Sequence, residues 1–357
     1  MTKTNPAWTW AAPLAAVAVL ALAILVPHPA VRALAGAVLL LAVFAAVHHA
    51  EVIAHRIGEP FGTLVLAIAV TVIEVALIAS LMLSGGAEKA ELARDTVLAA
   101  VMLAANGIVG LCLLAGGVRH REQGFQVRGA SAALAVLSAL SVLTLVLPNH
   151  LIATPGPTLA RSQLVFVGVV SLVLYLTFVF VQTVRHRDYF LVEDAASEDD
   201  HAPPPSAGAT LASLGLLLVA LVSVVGLAKV LSPVIEGVVA RAGAPVAVVG
   251  IVISAVVLLP ESVAALRAAR KNLLQNSLNL ALGSSLASIG LTIPAIAVVA
   301  LATGAPLSLG ISAKDTVLLA LTLGVSVITL GTGRTTVLQG MVHLTILAAY
   351  LFLAVVP

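Results

Sequence analysis

Two glutamates stand where hydrocarbon is expected. Glu74 lies near the middle of residues 62–84, GTLVLAIAVTVIEVALIASLMLS, and Glu261 follows Pro260 in residues 258–291, LLPESVAALRAARKNLLQNSLNLALGSSLASIGL. A charged side chain at a bilayer centre costs about 2.5–3.5 kcal/mol on insertion scales. Such a group is held as the neutral acid, or as a carboxylate neutralised by a bound cation. Those two states amount to exchange chemistry, because proton and metal ion compete for the same oxygens. Two glutamates can release two protons for one divalent ion with no net charge moved. Pro260 has no N–H, so it leaves the Val256 carbonyl without its helical donor and makes that oxygen a candidate ligand. Asn106, Asn279, Ser284 and Ser285 offer further neutral oxygens, a hard-donor set suited to Ca²⁺ or Na⁺. For an isolated Asn or Ser the competing reading is helix–helix glue. For Glu74 and Glu261 together, the functional reading prevails. Asn272, Asn276, Asn279 and Gly283 are spaced at +4, +7 and +11, which predicts one helical face.

The elements that must position these groups are read from composition. Of 357 residues, 61% are hydrophobic and 10% charged, with mean hydropathy +1.14, and the apolar residues come in runs of bilayer-spanning length. The fold class is an all-α polytopic membrane protein. Eleven spans are predicted, at 8–26, 31–55, 61–84, 96–117, 129–147, 162–184, 209–231, 245–266, 272–302, 315–331 and 335–356, the first read as a span rather than a removed signal peptide. With the N-terminus inside, cytoplasmic segments carry eleven of the 18 Lys and Arg, which predicts a cytoplasmic N-terminus and a C-terminus on the periplasmic or extracellular side.

The chain divides into an extra N-terminal helix (1–30), a first five-helix repeat (31–184, with its key region at about 59–110), a linker (185–208) and a second repeat (209–357, key region about 250–294). Each half offers an intramembrane carboxylate and then a helix interrupted by small polar residues: Ala104-Ala105-Asn106-Gly107 in one, Gly283-Ser284-Ser285 in the other. The Glu74 helix runs inside to outside and the Glu261 helix the reverse. That is an inverted repeat, which places a shared ion site near the midplane.

Three other features need weighing. The linker carries Glu193, Asp194, Glu198, Asp199 and Asp200 before three prolines; it reads as a solvated tether or as a cation-attracting regulatory strip. His48, Glu51 and His55 fall on one helical face near the cytoplasmic end of their span, with His49 and Glu59 nearby. Three readings stay open for that group: interfacial capping, proton access or pH sensing, and a tight metal site. His343, alone in the last span, reads as a packing residue that hydrogen-bonds locally. The lone Cys112 allows no intramolecular disulfide, and nothing suggests nucleic acid. The expected partners are inorganic cations, protons and the lipid bilayer, with no cofactor beyond the transported cation.

At these residues the chain resembles a known family. PESVAALRAARKNLLQNSLNLALGSSLASIGLTIP and HHAEVIAHRIGEPFGTLVLAIAVTVIEVALIAS are similar to the two α-repeats of the calcium/cation antiporter superfamily, in its bacterial calcium (sodium-potassium)/proton antiporter branch. The resemblance covers nearly the whole chain. It implies a ten-helix inverted-repeat core in a bacterial inner membrane, exporting Ca²⁺, Na⁺ or K⁺ against H⁺ by alternating access. By the same resemblance Glu74 and Glu261 bind cation and proton in turn, Ser284 and Ser285 are the small polar pair after the second glutamate, and Asn106 is the match in the first repeat. One departure stands out: Ile73, not proline, precedes Glu74, so the first helix must open its backbone some other way. No aspartate accompanies either glutamate in the core helices, which suits proton coupling better than sodium-driven exchange.

Two rival classes remain. A passive cation channel, or another cation transporter without proton coupling, is distinguished by the absence of that coupling. An intramembrane enzyme is disfavoured, because the chain has no H-E-x-x-H and no G-x-S-G.

Overall fold

The computed structural model describes residues 6–58, 61–83, 90–191, 204–304 and 307–356. Within them the chain is almost entirely helical. The helices are α1 (Ala7–Leu25), α2 (Pro29–Ile57), α3 (Phe61–Leu83), α4 (Leu92–Met102), α5 (Val109–His120), α6 (Val127–Ser141), α7 (Arg161–Phe180), α8 (Ala207–Arg241), α9 (Ala247–Val257), α10 (Leu259–Arg270), α11 (Leu274–Ala287), α12 (Ile293–Thr303), α13 (Ala313–Leu330) and α14 (Val337–Val355). Two-residue strands β1 (Gln123–Gly124) and β2 (Arg334–Thr335) pair antiparallel and join the α5–α6 turn to the α13–α14 turn.

Several helices are pieces of one span. A π-helical turn, Leu103–Ile108, joins α4 to α5, and another, Ser288–Thr292, joins α11 to α12. Such turns insert an extra residue and are common at functional sites. Helices α9 and α10 are bent by 55° at Leu258, where Pro260, second residue of α10, withholds the amide that would have continued the helix. With that bent pair as one span, eleven spans lie among the described residues, long and apolar enough to cross a membrane. The chain is thus a multi-pass, all-α membrane protein with inverted five-helix repeats and one extra N-terminal helix.

Buried apolar side chains fall into two main bodies. One gathers α1, α2, α3, α8 and α9 through residues such as Ala42, Ile73, Leu227 and Val249. The other gathers α4–α7 and α10–α14 through Leu137, Leu278, Ile289 and Leu319. In the first body, His49 ties three helices together. Its Nε2 lies 2.9 Å from the Thr9 carbonyl on α1 and its Nδ1 lies 3.2 Å from Ser213 Oγ on α8. A carbonyl only accepts, so Nε2 carries the proton and Nδ1 accepts from the serine. In the second body, α5 and α14 touch backbone to backbone. A Cβ on Gly110 would lie 3.0 Å from Leu344 and 3.2 Å from the Gly340 carbonyl, the close approach that small residues permit between membrane helices.

The predicted asparagine face is not formed as expected. Asn272 adopts φ 63° in the short turn between α10 and α11, outside the helix. Asparagine tolerates that left-handed conformation better than most residues. Asn276 is exposed, and the buried polar residues of this stretch are Gln275 and Ser277. The first stretch of the linker past Leu191, with Glu193, Asp194, Glu198, Asp199 and Asp200, lies outside the described residues, as does Glu59.

Candidate cation-binding site

Glu74 sits in the middle of α3, 1% exposed. Its helix is unbroken, against the expectation that the backbone would open by some route other than a proline at position 73, so the carboxylate has no helix terminus to lean on. It is served instead from the other body. Thr292 Oγ1, in the π turn between α11 and α12, donates to Glu74 Oε2 at 3.0 Å, and the Ser288 hydroxyl faces the same carboxylate. The second oxygen, Oε1, is buried without a hydrogen-bond partner, and so is Thr71 Oγ1, one turn earlier on α3.

Glu261 is held differently. The break at Leu258 puts it at the third position of α10, where its carboxylate turns back onto its own backbone amide. A helix N-terminus favours an anion there. Glu261 is 8% exposed and its Oε2 is buried with no hydrogen-bond partner. Electrostatically it feels two other carboxylates, Glu51 first and Glu74 second. The two repeat glutamates thus share one region at the seam of the two bodies.

Three buried oxygens without partners, Thr71 Oγ1, Glu74 Oε1 and Glu261 Oε2, are costly. Each such group forfeits about 1–3 kcal/mol of hydrogen bonding. All three are hard donors, and the hydroxyls of Ser288 and Thr292 stand beside them. Chemically, such a set can hold a proton, a water or a hard cation.

The other sequence-expected ligands are placed as follows. Ser285 is buried with Oγ 3.3 Å from the Ala281 carbonyl of its own helix, and Ser284 is partly buried on the same turn. Asn279 points elsewhere: its Nδ2 donates to the Phe190 carbonyl at 2.7 Å and its Oδ1 accepts from Gln275 at 2.9 Å, anchoring the segment that leads into the linker. Asn106 lies in the π turn between α4 and α5, but its amide donates to Thr322 Oγ1 at 2.9 Å and its Oδ1 accepts from His343 Nδ1 at 3.1 Å. His343 reaches on to Thr329 Oγ1 at 3.3 Å. The amide of Leu258 bonds to the Ser254 carbonyl, with the Val256 carbonyl as its second acceptor.

The histidine group on α2 does not converge. His48 packs its ring against Trp8, centroids 6.0 Å apart, and against His49. His55 and Glu51 are exposed. Among the described residues no three His, Cys, Asp or Glu side chains could share a metal ion. Glu51 is the member of the group that faces Glu261.

The two repeats are tied together at the start of α4. Arg94, at the start of α4, bonds Glu91 at 2.6 Å, Asp95 at 3.1 Å and the Gly310 carbonyl at 2.7 Å, linking the first repeat to the segment before α13.

Ser288 and Thr292 are the site residues that the sequence reading passed over. They follow Ser285 by three and seven residues, a one-face spacing.

Comparison with known proteins adds the following. The model of the sodium/calcium exchanger protein family matches residues 27–184 and 212–356. The protein y4hA of Sinorhizobium fredii, which bears the name of an ionic transporter with no cargo stated, is 52% identical over 99% of this chain and 97% of its own. The sodium-potassium/proton antiporter ChaA of Escherichia coli is 36% identical over 86% of this chain and 84% of its own. The solved structure of native YfkE superposes with a TM-score of 0.73, covering 98% of this chain and all of that one at 16% identity.

Proposed function

Because the chain belongs to the sodium/calcium exchanger family, we propose that it is a secondary cation/proton antiporter in which Glu74 and Glu261 take up cation and protons in turn. The observation that carries this reading is the pair of buried carboxylates, one from each inverted half, each with an oxygen that no side chain satisfies. Ser288, Thr292 and Thr71 complete an all-oxygen set around them, with Ser284 and Ser285 on the preceding turns. The relatives named above are transporters, and one of them is a sodium-potassium/proton antiporter. The cargo class is therefore Na⁺, K⁺ or Ca²⁺, bound as substrate and released by protonation.

Alternating access follows from the two apolar bodies. Glu74 belongs to one, Thr292 to the other, and rocking one body against the other opens the seam first to one side and then to the other. Glu51, exposed yet facing Glu261, marks the open entrance; the Arg94 ties mark the closed end. Basic-residue asymmetry supports a cytoplasmic N-terminus, with Glu51 on the cytoplasmic side of a bacterial inner membrane. His48 and His55 lie in the C-terminal part of α2, with Glu59 following in the sequence, and offer a route for protons. By their density in the sequence, the acidic linker residues Glu193, Asp194, Glu198, Asp199 and Asp200 act as a cation-attracting strip on the cytoplasmic side. The two family-matched segments, separated at the linker, support the division into repeats at 31–184 and 209–357.

The test is direct. Everted vesicles with an acidic lumen should lose their pH gradient when Na⁺, K⁺ or Ca²⁺ is added, and vesicles bearing Glu74→Gln or Glu261→Gln should not. Full dissipation by either variant removes the assigned site. Cation flux that persists with no pH gradient and no proton movement turns the reading to a channel.

A further inference from the structure

A trough of about 620 Å³ runs between α5 and α10, walled by Leu111, Leu114, Val118 and Leu266, with Arg119 and Arg270 at its rim. That volume lies within the roughly 300–1,000 Å³ of ordinary ligand pockets. Its wall is lipid-facing in character: Val118 is 71% exposed and Leu111 46% exposed, both on a membrane-spanning helix.

The two arginines are exposed and have no carboxylate partner among the described residues. Two other cations at this end of the molecule are engaged. Arg334 faces Glu122 at 3.8 Å, and Arg128 lies over the Tyr189 ring at 5.3 Å. Arg119 and Arg270 each occupy the last turn of a helix, where a cation offsets the helix dipole. Dipole compensation accounts for either charge alone. It does not account for the convergence of two helix ends above one apolar trough. That convergence is fixed by His120, whose Nε2 donates to the Arg270 carbonyl at 3.0 Å.

We propose that an anionic phospholipid docks here, its phosphate between Arg119 and Arg270 and an acyl chain in the trough. Paired basic groups at the mouth of an apolar groove between membrane helices complement such a lipid in charge and in shape. The site has a mechanical consequence. Helix α10 carries Glu261 in its first turn and ends at Arg270, and α5 continues from the π turn that carries Asn106. A headgroup bridging the two arginines fastens the two interrupted spans together below the ion site. Lipid occupancy therefore sets the geometry in which Glu261 loads.

The experiment uses the purified full chain and reads lipid retention by native mass spectrometry, titrating phosphatidylglycerol against phosphatidylcholine. The protein should keep phosphatidylglycerol preferentially. The double variant Arg119→Gln/Arg270→Gln should lose roughly 30-fold in that affinity, the fold-change for two basic residues at about 1 kcal/mol each. Arg119→Lys/Arg270→Lys should keep most of it. Leu266→Trp, which fills the trough and leaves both charges, should also weaken retention. Inorganic phosphate should not displace the lipid. Equal retention of the two lipids by the unaltered protein overturns the proposal, as does indifference to the double variant or to Leu266→Trp. Displacement by inorganic phosphate at matched concentration assigns the arginines to a soluble anion and overturns it as well. The link to transport rests on the antiport reading: proteoliposomes with phosphatidylglycerol should exchange several-fold faster than neutral ones, and only with both arginines present. Because retention is measured without transport, failure of the lipid site and failure of the antiport reading give different results.

Discussion

Thr292 donates a hydrogen bond to Glu74 Oε2 at 3.0 Å across 218 residues of sequence and across the seam between the two apolar bodies. One oxygen of the carboxylate is thereby fixed, and the other is left for whatever the site carries. The bond also couples the occupancy of Glu74 to the relative position of the bodies, because only one partner belongs to each.

Thr292→Val removes that donor and leaves the buried Glu74 carboxylate with the Ser288 hydroxyl alone. A hydrogen bond to a charged group is worth about 1.5–3 kcal/mol. Apparent cation affinity in the vesicle assay should fall about tenfold or more, with Thr292→Ser restoring most of it. An affinity unchanged by the valine would separate Thr292 from the site.

Competition between proton and cation fixes the sign of the pH response. The ionised carboxylates bind cation, so raising the pH on the loading side should lower the cation concentration needed for half-maximal exchange, and acidifying it should raise that concentration. The dependence should flatten in Glu74→Gln and in Glu261→Gln if any residual flux is seen. A pH-independent affinity in the unaltered protein would contradict a shared site.

Arg94 ties α4 to the segment before α13 through the Gly310 carbonyl. Arg94→Ala should loosen that closed end. A cysteine introduced at the buried Leu309, 1% exposed, should react slowly with a membrane-impermeant thiol reagent in the parent and several-fold faster in the Arg94→Ala background. The native Cys112 is buried and should contribute little. Equal labelling would show that this end is closed by other contacts.

Asn106 and His343 give a test of ligand against scaffold. His343→Phe orphans Asn106 Oδ1 and the Thr329 hydroxyl and should cost about 1–3 kcal/mol of stability, seen as a lower unfolding midpoint in detergent. If Asn106 serves only that network, Asn106→Ala should lower the midpoint and leave cation affinity unchanged. A loss of affinity beyond the loss of stability would return Asn106 to the ligand set.

Replacing Glu193, Asp194, Glu198, Asp199 and Asp200 by Asn and Gln should raise the half-maximal cation concentration at low salt, with the difference shrinking as ionic strength rises. Unchanged kinetics would make the linker a tether.

The spans were legible in the sequence because apolar runs of bilayer length have few other readings, and the break before α10 was legible because Pro260 announces it. The unbroken course of α3 was not, since the lack of a proline before Glu74 led to the expectation that the backbone would open some other way, and it stays closed. Ser288 and Thr292 were harder. Their spacing from Ser285 is regular, but a π turn intervenes and rotates the helical phase, so sequence alone cannot say which way the face points. The asparagine face failed for a local reason, since Asn272 is spent on a left-handed turn and Asn276 turns outward. The tie between His343 and Asn106 joins residues from opposite halves of the chain, and no period within either helix signals it.

His49 has a consequence for speed. Its ring grips Thr9 and Ser213 at the same time, so α2 and α8 do not travel by themselves; α1 rides with them as an outrigger. The moving unit then displaces a broader sheet of lipid than a bare helix pair, and its turnover should slow as the membrane stiffens, even where ion affinity is untouched.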